Sequence, residues 1–145
     1  MAINIQKQGN TSTRGEDELR KQLATRVFDY YCDEKTWQEL VRKGINDLGL
    51  DLLVATTVIN MELEVRTVVN EKLLLEELDS LLHRFTDRDK KLDKKERDDA
   101  IQYVCKPRSG YLKGLNYQVA DRHITEYCRA NHVKIKIGLF KWEIP

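Results

Sequence analysis

The sequence predicts an α+β fold, about five helices packed on a small antiparallel sheet, and three observations carry that expectation. Apolar residues recur at helical spacing in several separate segments, as in Trp37, Leu40, Val41, Ile45 and Leu48. Residues 52–69 are rich in β-branched side chains and alternate Ile59, Met61, Leu63 and Val65 with polar neighbours. The tail from Val133 alternates again.

Taken in order, residues 1–15 are polar and aperiodic, which predicts a flexible N-terminal arm ahead of a single α+β domain over 16–145. Glu16, Asp17 and Glu18 place acids where a helix N-terminus favours negative charge. Leu19, Leu23, Val27 and Tyr30/Tyr31 then make a first helix to about Cys32. Asp33 can cap the second helix, and Gly49 can close it in the left-handed conformation.

Residues 52–69 read as a strand with one wet face. The competing reading is a helix with Val54, Val58, Met61, Val65 and Val68 as its stripe; the β-branched content favours strand. Asn70 caps a third helix lined by Leu74, Leu78, Leu81, Leu82 and Phe85. That stripe lasts about two heptads, so it reads as core and not as a coiled coil.

Asp93 and Glu96 stand in capping-box spacing ahead of Ala100, Ile101, Val104 and Cys105, and Pro107 stops that helix. A fifth helix runs from about Asn116 to Ala130. In the tail, Val133, Ile135 and Ile137 share one parity and Phe140, Trp142 and Ile144 the other, which predicts a bulge or sharp bend at Gly138. The tail is expected to pair with the mid-chain strand. Two strands alone rarely make a stable sheet, so a homodimer joined through a sheet edge is also expected. No internal repeat or low-complexity tract is visible.

The chain has 145 residues, a size that fits one domain, and 34% of them are charged. No apolar run is long enough to span a membrane, and the N-terminus lacks a signal-peptide layout. Cys32, Cys105 and Cys128 are odd in number and far apart, which fits a reducing, cytoplasmic setting, or a nuclear one. Charge divides along the chain: from Lys106 onward eight Lys/Arg face three acids, and the preceding 105 residues hold seventeen bases against twenty-one acids. Such a division points to an acidic partner, including nucleic acid, at the C-terminal third; solvated helix faces give the same pattern.

Several constellations invite a chemical reading. Asp87, Asp89, Asp93 and Glu96 resemble the calcium loop of an EF-hand, yet Phe85 stands where its first Asp belongs and Lys90 where its glycine belongs. Cys105, His123, Cys128 and His132 carry zinc-type ligands, but their close pairs are mixed in type, and His123 and Cys128 are five apart, a spacing that does not share a helix face. Glu62 and Glu64 on one strand face, with Asp51 and Lys72 nearby, are paired carboxylates of the kind that share a metal in nucleases, and alternation gives the same pattern on any wet strand face. No phosphate loop or nucleophile elbow is present. No cofactor or metal is assigned, and the reading leans away from catalysis.

The loop 106–114 is the most suggestive segment. Lys106, Arg108 and Lys113 accompany Ser109 and Tyr111, groups that hold phosphate oxygens and stack on bases, and Lys134 and Lys136 on the final strand extend the basic surface. The expected function is a small intracellular, non-catalytic binding or regulatory protein acting through protein–protein contacts. The alternative is a nucleic-acid-binding protein using residues 106–145.

Overall fold

The computed structural model describes residues 13–145. Eleven elements follow one another: α1 Arg14–Arg26, β1 Tyr31–Cys32, α2 Glu34–Asn46, α3 Leu52–Val65, β2 Val69–Asn70, α4 Glu71–Thr86, β3 Lys91–Leu92, α5 Lys94–Cys105, α6 Tyr117–Ala130, β4 Lys134–Lys136 and β5 Trp142–Glu143. The mixed α+β class holds, with six helices among the described residues. The single antiparallel sheet does not. β1 pairs with β2 in parallel, β3 pairs with β4 in parallel, and only β4 and β5 run antiparallel, in two separate sheets.

The largest correction concerns residues 52–69, which form α3 and the two-residue β2 in place of one strand. A strand would have put Ile59, Met61, Leu63 and Val65 on one buried face, whereas Met61 is 60% and Val65 79% exposed. The face that is buried carries Ala55, Val58, Ile59 and Leu63, a helical spacing packed against α1 and α2. Tertiary packing of that stripe overrides the β-branched preference. The helix closes at Thr67, whose φ of 51° takes the chain into the left-handed region before β2.

Three smaller corrections follow. The portion of the expected arm at 13–15 belongs to α1: Thr13 is its N-cap, accepting from the Glu16 N–H at 3.1 Å, while residues 1–12 of that arm lie outside the described residues. The first helix stops at Arg26, and Tyr31–Cys32 leave it as a strand. The sharp bend expected at Gly138 is present as the reversal joining β4 to β5: Ile137 N–H donates to Lys141 O at 2.9 Å, and the parity switch is this hairpin. The tail pairs with β3 and not with the mid-chain segment.

The chain contains an internal structural repeat that its sequence conceals. Residues 14–70 and 71–136 each run helix, two-residue strand, helix, helix, strand, and in each the first strand pairs in parallel with the last. Such a pair needs a crossover, and both crossovers are two helices. Equivalent positions lie sixty apart through the second helix and sixty-five apart through the third, because the loop 106–116 is longer than its counterpart 47–51.

At that spacing the buried positions coincide: Cys32 with Leu92, Leu40 with Ala100, Val41 with Ile101, Ala55 with Ala120, Ile59 with Ile124, Leu63 with Cys128 and Val68 with Val133. The backbone specials coincide as well. Tyr30 and Lys90 have φ of 58° and 55°, and Thr67 and His132 have 51° and 55°. Val68 N–H donates to Leu63 O as Val133 N–H donates to Cys128 O, both at 2.9 Å. Each unit encloses its own core, one built on Leu19, Leu40, Ile59 and Leu63, the other on Leu78, Leu82, Val104 and Ile124.

Candidate binding groove

The boundary of the first unit creates a concavity that involves the basic loop. β2 passes directly into α4, so the outer side of β2 lies between the C-terminal half of α3 and the first turns of α4. The loop 106–114 closes the other side, leaving a groove of about 320 Å³. Met61, Val68, Leu73, Leu74 and Val104 supply apolar lining, while Glu64, Glu77, Lys106, Arg108 and Lys113 supply charge.

Local chemistry holds the walls. Asn60 on α3 accepts from the Trp37 indole N–H and from the Asn70 amide, both at 2.9 Å, and Asn70 in turn caps α4 by accepting from Leu73 N–H at 3.3 Å. That chain of amides ties α2, α3 and the β2–α4 corner together. On the loop side, a Cβ at Gly114 would lie 2.1 Å from the Cys105 carbonyl oxygen. Only glycine lets the loop return so close to the end of α5. Tyr111 N–H then donates to Arg108 O at 2.9 Å, forming the turn that presents the loop.

Of the residues singled out in the sequence, Lys106, Arg108, Tyr111 and Lys113 line this groove. Ser109 is exposed in the turn and does not line it. Lys134 and Lys136 are exposed on β4, within the other sheet, and do not line it either. Two of the loop cations are already matched. Arg108 meets both oxygens of Glu77, at 3.4 and 2.6 Å, and lies 5.3 Å from the Tyr103 ring centre; Lys113 meets Asp29 at 2.6 Å. The Glu77 carboxylate pushes the Arg108 pKa up, which keeps this guanidinium charged. Lys106 has no ion pair among the described residues.

Sequence reasoning missed Asn60, Met61 and Glu77, and paired Glu64 with the wrong neighbour. Reading 52–69 as a strand put Glu62 and Glu64 on one face, whereas on α3 they diverge. Glu62 pairs with Arg66 at 2.8 Å, and Glu64 faces the groove. Asn60 was the available signal: a carboxamide in an apolar run is placed to bond something, and here it bonds two groups.

The other constellations are consumed structurally. Asp93 and Glu96 exchange both hydrogen bonds of a capping box at the start of α5. His123 contacts Asp79 at 2.6 Å, His132 is an exposed left-handed residue, and Cys128 is buried. Among the described residues no three His, Cys, Asp or Glu converge as metal ligands. Burial pushes the Cys32 thiol up to about 12 and also raises Cys105 and Cys128, so all three favour the protonated thiol over the nucleophilic thiolate. No described helix is long and apolar enough to cross a membrane.

No family model, no curated protein and no solved structure matches the chain. What the groove can do chemically therefore rests on its own make-up. An apolar lining with charges at its edge holds an apolar side chain and orients the polar groups beside it.

Proposed function

We propose that the protein is a non-catalytic binding and regulatory module that acts through protein–protein contacts at the groove between α3, β2, α4 and the loop 106–114. The observation that carries this reading is the pairing of the loop cations: Arg108 and Lys113 are held by Glu77 and Asp29, so the loop serves as a wall of an apolar groove more than as a field of free positive charge. A protein side chain seated over Met61 and Leu73 buries apolar area that is now wet. The three unpaired thiols, two of them buried, suit a reducing interior such as the cytoplasm. A homodimer formed through the outer edge of β5 remains part of this proposal.

The second reading, nucleic-acid binding by residues 106–145, draws on Lys134 and Lys136, which stand exposed on β4, and on the exposed Arg122. Salt separates the two. Co-purification with a protein that persists from 50 to about 500 mM salt supports the groove; retention on a polyanion column that falls steeply over that range, and is lost in Lys134→Glu/Lys136→Glu, supports the basic surface instead.

A further inference from the structure

The internal repeat indicates what the groove holds. In the second unit, the outer side of β4 is covered by β5, which pairs with it antiparallel through Ile135 opposite Glu143 and Lys136 opposite Trp142. The segment beyond β5 then lies against α6, where Arg129 Nε donates to the Pro145 backbone oxygen at 2.8 Å. The counterparts of Arg129, Val133, Lys134 and Ile135 in the first unit, sixty-five positions earlier, are Glu64, Val68, Val69 and Asn70. All four line the groove.

Backbone direction agrees. Val69 N–H donates to Tyr30 O, and Lys134 N–H donates to Lys90 O, each at 2.9 Å. Along a strand the next residue points its backbone groups the other way, so Ile135 turns to β5 and Asn70 turns away from β1, toward the groove. In the second unit the chain supplies its own covering strand. In the first it turns into α4 at Glu71, and no strand among the described residues covers β2 there.

We infer that the groove takes an extended segment of a protein partner, laid antiparallel against β2 and carrying a basic side chain opposite Glu64. Charge sets that last feature. Arg129, which meets a backbone oxygen in the second unit, is replaced by a carboxylate that is exposed and has no ion pair among the described residues. A strand entering beside Glu64 gains by bringing a cation to it, and main-chain pairing supplies the rest, as in other cases of strand addition. This inference rests on the groove being the binding surface.

The test titrates the isotope-labelled full chain with a seven-residue peptide: the chain's own residues 139–144, which include β5, followed by lysine in place of Pro145 and an amidated end. The amides of Asn70 and of residues 60–64 shift, with Asn70 moving in the direction of a new hydrogen bond. Glu64→Arg, an exposed position, weakens the peptide about three- to tenfold, and a peptide ending in glutamate regains that loss on the variant. Shifts at Met61 and Leu73 without Asn70 sink the strand geometry while leaving the groove in use. Indifference to the charge at position 64, or no groove shift at millimolar peptide, also overturns the inference. So do groove resonances that move on dilution of the protein alone or on deletion of residues 1–12, since the occupant is then a second copy or the N-terminal arm.

Discussion

Tyr31 donates its phenolic hydroxyl to the carboxylate of Glu71, and this pair joins the two units of the chain. Glu71, only 7% exposed, opens α4 and accepts the Glu34 N–H on its other oxygen at 3.0 Å. The same tyrosine oxygen accepts from Asn116 N–H at 3.1 Å, so one hydroxyl reaches from β1 to the starts of both α4 and α6. Tyr31→Phe leaves a buried carboxylate with one partner fewer and Asn116 N–H with none from Tyr31. The expected loss is about 1–3 kcal/mol of unfolding free energy, measured in urea. A change within about 0.5 kcal/mol, the range of ordinary surface substitutions, contradicts the role given to this hydroxyl.

Alkaline pH weakens the fold through the same region. Burial and Glu71 raise the Tyr31 pKa above its ordinary 10.0, and burial lifts Cys32 from 9.0 to about 12. The unfolded chain therefore releases these protons first, so their contribution is fully present below about pH 9 and is lost as pH rises toward the folded values. Urea midpoints taken between pH 8 and 11 should fall, and fall less steeply in Tyr31→Phe. An equal slope in both proteins removes Tyr31 from the account.

The repeat predicts matched energetics. Ile59 and Ile124 occupy equivalent buried positions, 0% and 1% exposed. Each change to alanine is expected to cost about 2–5 kcal/mol, with the two costs similar. Since the residues belong to separate cores, the double variant should lose the sum to within about 0.5 kcal/mol. One large and one negligible loss contradicts the equivalence of the two cores.

Gly114→Ala tests how the loop is held. The added methyl meets the Cys105 carbonyl, which is backbone and cannot swing aside, so the loop must move. About 1–3 kcal/mol of destabilisation is expected, together with displaced resonances over 106–114. An unchanged spectrum for those residues means the close approach does not shape the groove.

What was legible in the sequence was chiefly the punctuation. Asp33 and Asn70 cap the helices expected of them, the fifth helix begins at Asn116 as expected, the Asp93–Glu96 box forms in full, and Gly49 takes a φ of 68° just past the end of α2. These signals are local: a side chain one to three residues from the group it satisfies. What was hidden depends on partners distant in sequence. α3 is helical because Ala55, Ile59 and Leu63 find α1 and α2, which no window within 52–69 can reveal.

The repeat escaped for a related reason. Its shared content is a few buried or half-buried positions, such as Leu50 with Leu115, Val54 with Val119 and Ile59 with Ile124, separated by solvent-facing residues free to differ and interrupted by a longer second loop. The candidate site was half visible. The loop 106–114 stood out by charge and aromatic content, but the acids that neutralise it, Asp29 and Glu77, lie on distant segments. The facing wall cannot be read from a sequence whose residues 52–69 look like a strand.

Binding through the groove is tested most directly by comparing wild-type protein with Met61→Arg as baits in the native cell extract, with nuclease present. Met61 is exposed in the groove, so arginine there blocks it without unfolding α3. The expected result is a protein partner retained by the wild type and lost from the variant, and retained by Lys134→Glu/Lys136→Glu. A partner held equally by Met61→Arg, and lost on nuclease treatment or in the double-lysine variant, contradicts the groove and assigns binding to the basic strand.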